Sequence, residues 1–203
     1  MKRAGIFILA LLIAAPLFAQ DKKIGLLPFD DAAGVGPELC MQVAVYIRSE
    51  LLKSRKLVPK FISPETEEGG DIGASGLVDV EKALELGRAG EVDFVLIGTI
   101  LEAEAEESDA SLGGISLRKA SVGTSLRKVK ATISIQGDLL SVADGSLVQS
   151  FEAKGDKTDA RVGADVYTDW ADYSSGSASA NTPHAKALRE AAAGLVKQIL
   201  KKI

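Results

Sequence analysis

The chain has 203 residues, 46% hydrophobic and 26% charged, a globular balance that allows one core of ordinary size and excludes a disordered or fibrous class. Its 24 basic and 28 acidic residues give a formal charge of −4 and form no basic stripe along the chain, which argues against nucleic acid as a partner. The single cysteine, Cys40, makes no internal disulfide, so the core alone has to supply stability.

The opening MKRAGIFILALLIAAPLFAQ sets Lys2 and Arg3 ahead of an apolar run from Ile6 to Ala15, with small Ala19 before polar sequence. This predicts a secretory signal peptide over 1–19. The run falls short of the roughly 20 apolar residues of a spanning helix. Removal leaves 20–203 as a single domain and takes the formal charge from −4 to −6. No cysteine stands at the cleavage point to carry a lipid. Cys40 lies inside an apolar helical pattern and reads as a small buried hydrophobe.

KKIGLLPF (Lys22 to Phe29) predicts a short strand entering the turn-rich DDAAGVGP. Leu39, Val43, Ile47 and Leu51 recur at helical spacing, predicting a helix from Glu38 to Lys53. KLVPKFI (Lys56 to Ile62) is a second strand whose Pro59 points to an edge or a bulge. After a polar loop, Asp79 caps a helix to about Arg88, with Val80, Ala83, Leu84 and Gly87 on one side. EVDFVLIGTIL (Glu91 to Leu101) is the most apolar mature strand and belongs at the centre of the sheet.

The clearest hairpin follows. Ala131, Ile133, Ile135 and Leu139 alternate with polar residues, Asp144 and Gly145 supply a positive-φ turn, and Leu147 and Phe151 continue the apolar face. Thr182 caps and Pro183 opens a last helix with Ala185, Leu188, Ala192, Leu195 and Ile199 as its buried stripe. The order of elements predicts an α/β fold: a mixed sheet covered by helices, with two β-hairpin insertions flanking a central hairpin.

Motifs of catalysis are not evident. FDDAAGVGPE joins strand to helix but lacks the third glycine of a dinucleotide site and the Gly-Lys-Ser/Thr of a P-loop. Asp30 and Asp31 read as a solvated turn, and His184, the one histidine, as a surface residue with no nucleophile in a recognisable context. Glu102, Glu104, Glu106 and Glu107 read as a solvated acidic face. The expectation is a protein that is not an enzyme and has no cofactor and no metal.

Two long segments, at about 107–128 and 156–181, exceed what a compact domain needs as connections. Each folds on paper as two extended legs about a tip, Arg118 and Lys119 in the first and Asp169 to Asp172 in the second. Legs of about eight to ten residues match a tilted membrane strand. In the second, Ala160, Val162, Ala164, Val166, Thr168 and Trp170 share one face opposite Arg161, Gly163, Asp165 and Tyr167, and Tyr167, Trp170 and Tyr173 cluster near the tip. That is the alternation of an aqueous barrel wall with aromatics at the interface. Leu112, Ile115 and Val122 are the matching candidates in the first segment. Soluble edge hairpins or mobile loops are the alternative reading of both segments.

The chain resembles the curli secretion channel family (CsgG-like). The resemblance rests on LLKSRKLVPKFIS, VDFVLIGTILEAEAEES, the Gly-Gly-containing insertion before VKATISIQGDLLSVADGSLVQS, and SANTPHAKALREAAAGLV, in that order. It implies a periplasmic α/β domain that gives two hairpins to a shared outer-membrane barrel. Two hairpins supply only four strands, so a closed barrel needs a ring of identical copies. The chain departs from the family in lacking an acylated N-terminal Cys and in having DDAAGVGP where the constriction loop stands, so no constriction residues carry over.

Two functions follow as expectations. One is a non-enzymatic envelope assembly or secretion protein, resembling the subunit of a homo-oligomeric outer-membrane export pore, with membrane lipid, an exported protein or other envelope proteins as partners. The other is a soluble periplasmic accessory or regulatory binding module on the same core.

Overall fold

Apolar runs and alternating strands line up in one six-stranded mixed sheet. The computed structural model describes residues 22–62, 79–110, 126–162 and 182–203. Within these, β1 (Lys22–Leu26), β2 (Asp30–Asp31), α1 (Pro37–Ser54), β3 (Leu57–Phe61), α2 (Val80–Ala89), β4 (Phe94–Ala110), β5 (Leu126–Ser141), β6 (Leu147–Val162) and α3 (Pro183–Lys202) follow in order. The sheet runs β3-β1-β4-β5-β6, with β2 beside β4. β1, β3 and β4 are parallel, and β4, β5 and β6 antiparallel. The first strand is shorter than its apolar sequence suggests, because Leu27 to Phe29 leave the ladder before β2 resumes it against Thr99 and Ile100.

From β1 the chain crosses to β3 on one side, then from β3 back past β1 to β4. Right-handed crossovers in opposite directions set α1 and α2 on opposite faces. α1 packs with α3 over the larger core, which includes Leu39, Leu51, Ile133 and Leu188. α2 packs Ala83 and Leu84 on a smaller cluster with Val95 and Leu140, while Val80 at its start is exposed. Each fully buried Leu or Ile in these layers contributes roughly 1.5–3 kcal/mol.

Several local expectations hold. Pro59 lies in β3, at the sheet edge, where a missing N–H is tolerated. The Asp79 carboxylate accepts from the Glu81 N–H at 3.0 Å, and Thr182 Oγ1 from the Ala185 N–H at 3.1 Å, both serving as N-caps. Gly155 on β6 is where α3 comes closest: a Cβ there would lie 1.8 Å from the Ala187 carbonyl oxygen.

Others are corrected. Of Asp144 and Gly145, Gly145 alone has positive φ, 72°. Asp144 instead accepts from the Ser146 N–H at 3.1 Å and its Oγ at 2.9 Å, within a wider loop. Leu147 is 55% exposed. A register shift pairs Leu139 with Gln149 and Leu140 with Leu147, which carries Leu147 out of the main core and brings Val148 against it. His184 is fully buried: the first turn of α3 sinks into the domain, with Thr182, Pro183 and Ala185 buried around it.

Candidate functional site

β4, β5 and β6 are 17, 16 and 16 residues long, about three times the usual strand. β4 and β5 stay paired from Phe94↔Ser141 to Ala110↔Leu126, and β5 and β6 from Leu140↔Leu147 to Leu126↔Val162. They form a ribbon roughly 50 Å long. Glu107 to Ala110 therefore pair with Leu126 to Val129, and Asp156 to Val162 pair with Leu126 to Thr132.

One bulge decides which way the ribbon's side chains point. Ile100 pairs with Ile135 and Glu102 with Ser134, leaving Leu101 without an opposite residue and 41% exposed. Leu96 and Ile100 face the helices. With strict alternation Glu102, Glu104 and Glu106 would follow them inward. The extra residue reverses the parity, so Ala103 and Ala105 pack against the core instead.

The three glutamates then share the outer face with β5 and β6. Glu102 pairs with Lys154 at 3.4 Å, and Lys130 with Asp156 at 3.7 Å. Thr132 and Ser134 are buried among these longer side chains, and Ser134 Oγ donates to Glu152 Oε1 at 3.4 Å. The run expected as an acidic face is thus part of a mixed-charge face. Each pair is about half exposed, which limits it to about 1 kcal/mol or less.

Among the described residues β6 pairs with β5 alone, and β4 beyond Ile100 also pairs with β5 alone. Among the described residues, then, neither ribbon edge has a further strand. Side chains of α3 reach the β6 edge: Glu190 Oε2 accepts from the Asp156 N–H at 3.0 Å, Gln198 Nε2 donates to the Glu152 carbonyl at 2.7 Å, and Lys186 pairs with Asp159. That N–H, then the Lys157 ammonium at 2.9 Å, hold Glu190 below the usual carboxylate value.

The loop before α1 is closed on itself. Asp31 accepts from the Val35 N–H at 2.9 Å and the Gly36 N–H at 2.7 Å, so its own carboxylate takes the donors that an incoming anion would use. Cys40 is buried, and burial, followed by Asp31 and Asp30, pushes its thiol up to about 12. A thiol so protonated is a poor nucleophile. Among the described residues there is no group of three or more His, Cys, Asp or Glu placed to hold a metal. No described helix is long and apolar enough to cross a membrane.

Of the hairpin candidates, Ala160 and Val162 lie in β6 opposite Lys128 and Leu126. Leu112, Ile115, Val122, Ala164, Val166, Tyr167, Trp170 and Tyr173, with the tip residues Arg118, Lys119 and Asp169 to Asp172, lie outside the described residues. The sequence reading missed the bulge and the cross-strand pairs. Their signal was the change from apolar even positions, Leu96 and Ile100, to apolar odd ones, Ala103 and Ala105.

The family model described as curli production assembly/transport component CsgG matches residues 65–203. Among solved structures the chain is similar to the PelC dodecamer from Paraburkholderia phytofirmans, at 14% identity over 90% of this chain and 86% of that one, TM-score 0.43. It is similar to lipoprotein GNA1162 from Neisseria meningitidis at 15% identity, 68% and 83% coverage and TM-score 0.42. For the LpoB C-terminal domain from Escherichia coli the values are 12%, 66%, 82% and 0.39. No curated protein is a significant sequence match. With well over half of its length inside the family model, the chain belongs to the CsgG family.

Proposed function

We propose that this CsgG-family chain is a non-enzymatic subunit of a homo-oligomeric export pore of the outer membrane, with its α/β body in the periplasm. Family membership makes it an envelope-associated, secretion-related protein. The observation that carries the finer reading is the long ribbon with no further strand on either edge among the described residues. Long edges without a partner strand invite pairing with another chain. Copies set side by side join the β6 edge of one to the part of the β4 edge of the next that lies beyond Ile100, from Leu101 to Ala110, and such a head-to-tail contact closes into a ring. The segments that continue the ribbon in sequence, 111–125 and 163–181, hold most of the candidates for a barrel wall.

A second feature supports self-association. The flank made by α1 and β3 leaves Met41, Val45, Leu52, Val58 and Phe61 exposed, with Arg48 stacked 5.2 Å from the Phe61 ring. Apolar side chains gathered this way suit burial against a neighbouring subunit.

Expression with the native signal, fractionation and electron microscopy of detergent extracts test the proposal, with rings in the membrane fraction as the expected result. Recovery solely as a soluble monomer overturns it. The competing reading, a soluble periplasmic module, draws on the ribbon's outer face, whose ion pairs between Glu102 and Lys154 and between Lys130 and Asp156 suit water. Aspartate at Val162, Val166 and Trp170 together separates the two. Each lipid-facing charge costs up to about 2–4 kcal/mol, so a pore subunit leaves the membrane fraction, whereas a soluble module keeps its yield.

A further inference from the structure

One groove has no part in that reading. It lies between the C-terminal halves of α1 and α3, is a shallow, open cleft of about 430 Å³, and has Lys53, Lys56, Lys197 and Lys201 in its lining. Its floor is apolar, made by Ala193, Val196 and Leu200 along one side of α3. We propose that this groove is a docking site for an acidic amphipathic helix of a partner protein.

Charge points to an acidic occupant. The one carboxylate in the lining, Glu50, is already paired with Lys53, so within the lining Lys56, Lys197 and Lys201 have no acid to offset them. This occurs on a chain whose formal charge is −4, so the groove opposes the sign of the protein as a whole and selects for negative partners. Cations at helix C-termini answer the helix dipole, which accounts for Lys53 and Lys201 in the last turns of α1 and α3. It does not account for Lys56, which lies beyond the end of α1, or for Lys197, more than a turn before the end of α3.

Shape and position narrow the class further. Ala193, Val196 and Leu200 are spaced to meet apolar anchors of a second helix at matching intervals, the helix-in-groove mode of peptide recognition. From Ala193 to Leu200 is about 10 Å, roughly two turns. The groove lies where β3 begins, and Leu57 is level with Lys22, two residues short of Ile24, the partner of Phe94 at the start of β4. That end is roughly 50 Å from Ala110 at the far end of the ribbon. If the ribbon leads toward a membrane, the groove faces away from it, which favours a protein over a lipid headgroup. The groove is built within one chain, so its test stands whether or not the pore reading does.

The probe is a fluorescent helical peptide of glutamates with leucines at i, i+3 and i+7, followed by anisotropy on the full mature protein. Carbodiimide coupling of its carboxylates to lysines, read by mass spectrometry, maps the contact. Cross-links concentrated on Lys53, Lys56, Lys197 and Lys201 are expected. So is about tenfold weaker binding in K197E/K201E, and a similar loss between about 50 and 500 mM salt. Peptides with Lys for Glu or Ala for Leu should not bind. Should K197E/K201E fail to fold, K56E, outside both helices, carries the same test. Cross-links scattered over other lysines, equal binding of the lysine peptide, or binding of phosphatidylglycerol vesicles without the peptide would each overturn the proposal.

Discussion

The two faces of the sheet follow different rules. On one, α1 and α3 cover the strands from Leu57 and Ile24 to Ala131 and Gly155, over a single apolar core. On the other, α2 covers only the end that holds Val95 and Leu140, and farther along stand Glu102, Lys154, Lys130 and Asp156. β4 crosses this boundary within one strand. Its first half, Phe94 to Ile100, is apolar apart from Gly98 and Thr99 and has Val95 and Ile97 under α2 on the face opposite Leu96 and Ile100, while among the described residues its second half is covered on one face and alternates. The bulge at Leu101 sits at the junction. A strand can pass from two-sided to one-sided burial without placing charge in the core, provided one inserted residue resets the alternation.

The largest expected effect breaks that arrangement. Ile133→Asp places a carboxylate on the helix-covered face, at a fully buried position opposite Ala103 on one side and Gly155 on the other. Burying even one unpaired carboxylate costs several kcal/mol, so the substitution should abolish folding, read as loss of cooperative unfolding by circular dichroism. A variant that unfolds like the parent would mean that the helix-covered face admits charge as readily as the open one. Next in size is Gly155→Val. The Ala187 carbonyl oxygen is backbone and lies 1.8 Å from the added Cβ, so α3 has to lift from the sheet. Overpacking of this kind costs roughly 3 kcal/mol, measurable by urea denaturation.

A matched pair of truncations sharpens the contrast between the layers. Leu188→Ala removes a fully buried side chain from the α1/α3 side, and Leu84→Ala one at the rim of the α2 cluster. The first should cost about 3–4 kcal/mol and the second about 2, since a rim site relaxes more readily around its cavity. Equal losses in urea midpoints would show that α2 is packed as firmly as α3.

What the sequence made legible follows from how local each signal is. The stripe Leu39, Val43, Ile47, Leu51, the alternation from Ala131 to Ile135, and the caps at Asp79 and Thr182 are all set by neighbours a few residues apart. Pro59 on an edge strand is of the same kind. His184 was misread because a polar residue in a first turn looks solvent-facing until the helix is placed, and here that turn is buried. Leu147 failed through a one-residue register shift. The basic groove was invisible, since Lys53 and Lys56 meet Lys197 and Lys201 only through the packing of α1 on α3. Of the hairpin candidates, the backbone of Ala160 and Val162 continues the ribbon as strand.

The smallest effect tests how the helix-covered face is fastened at its open edge. Glu190 holds the Asp156 N–H at 3.0 Å and the Lys157 ammonium at 2.9 Å, and its folded pKa is lowered by those two partners in that order. A carboxyl lowered on folding adds stability that is fully present above its unfolded value, about 4.3, and is lost as pH falls through the folded value. The Glu190 side chain is 45% exposed, so solvent screening keeps the contribution under about 1 kcal/mol. Glu190→Gln keeps an acceptor oxygen and loses the charge. The variant should therefore be less stable than the parent at neutral pH, and the gap should close as pH falls below the folded pKa. A gap of unchanged size at the lowest pH at which the parent stays folded would mean that the edge is held by the shape of the side chain rather than by its charge, alongside the Gln198 bond to Glu152 and the Lys186–Asp159 pair that also tie α3 to β6.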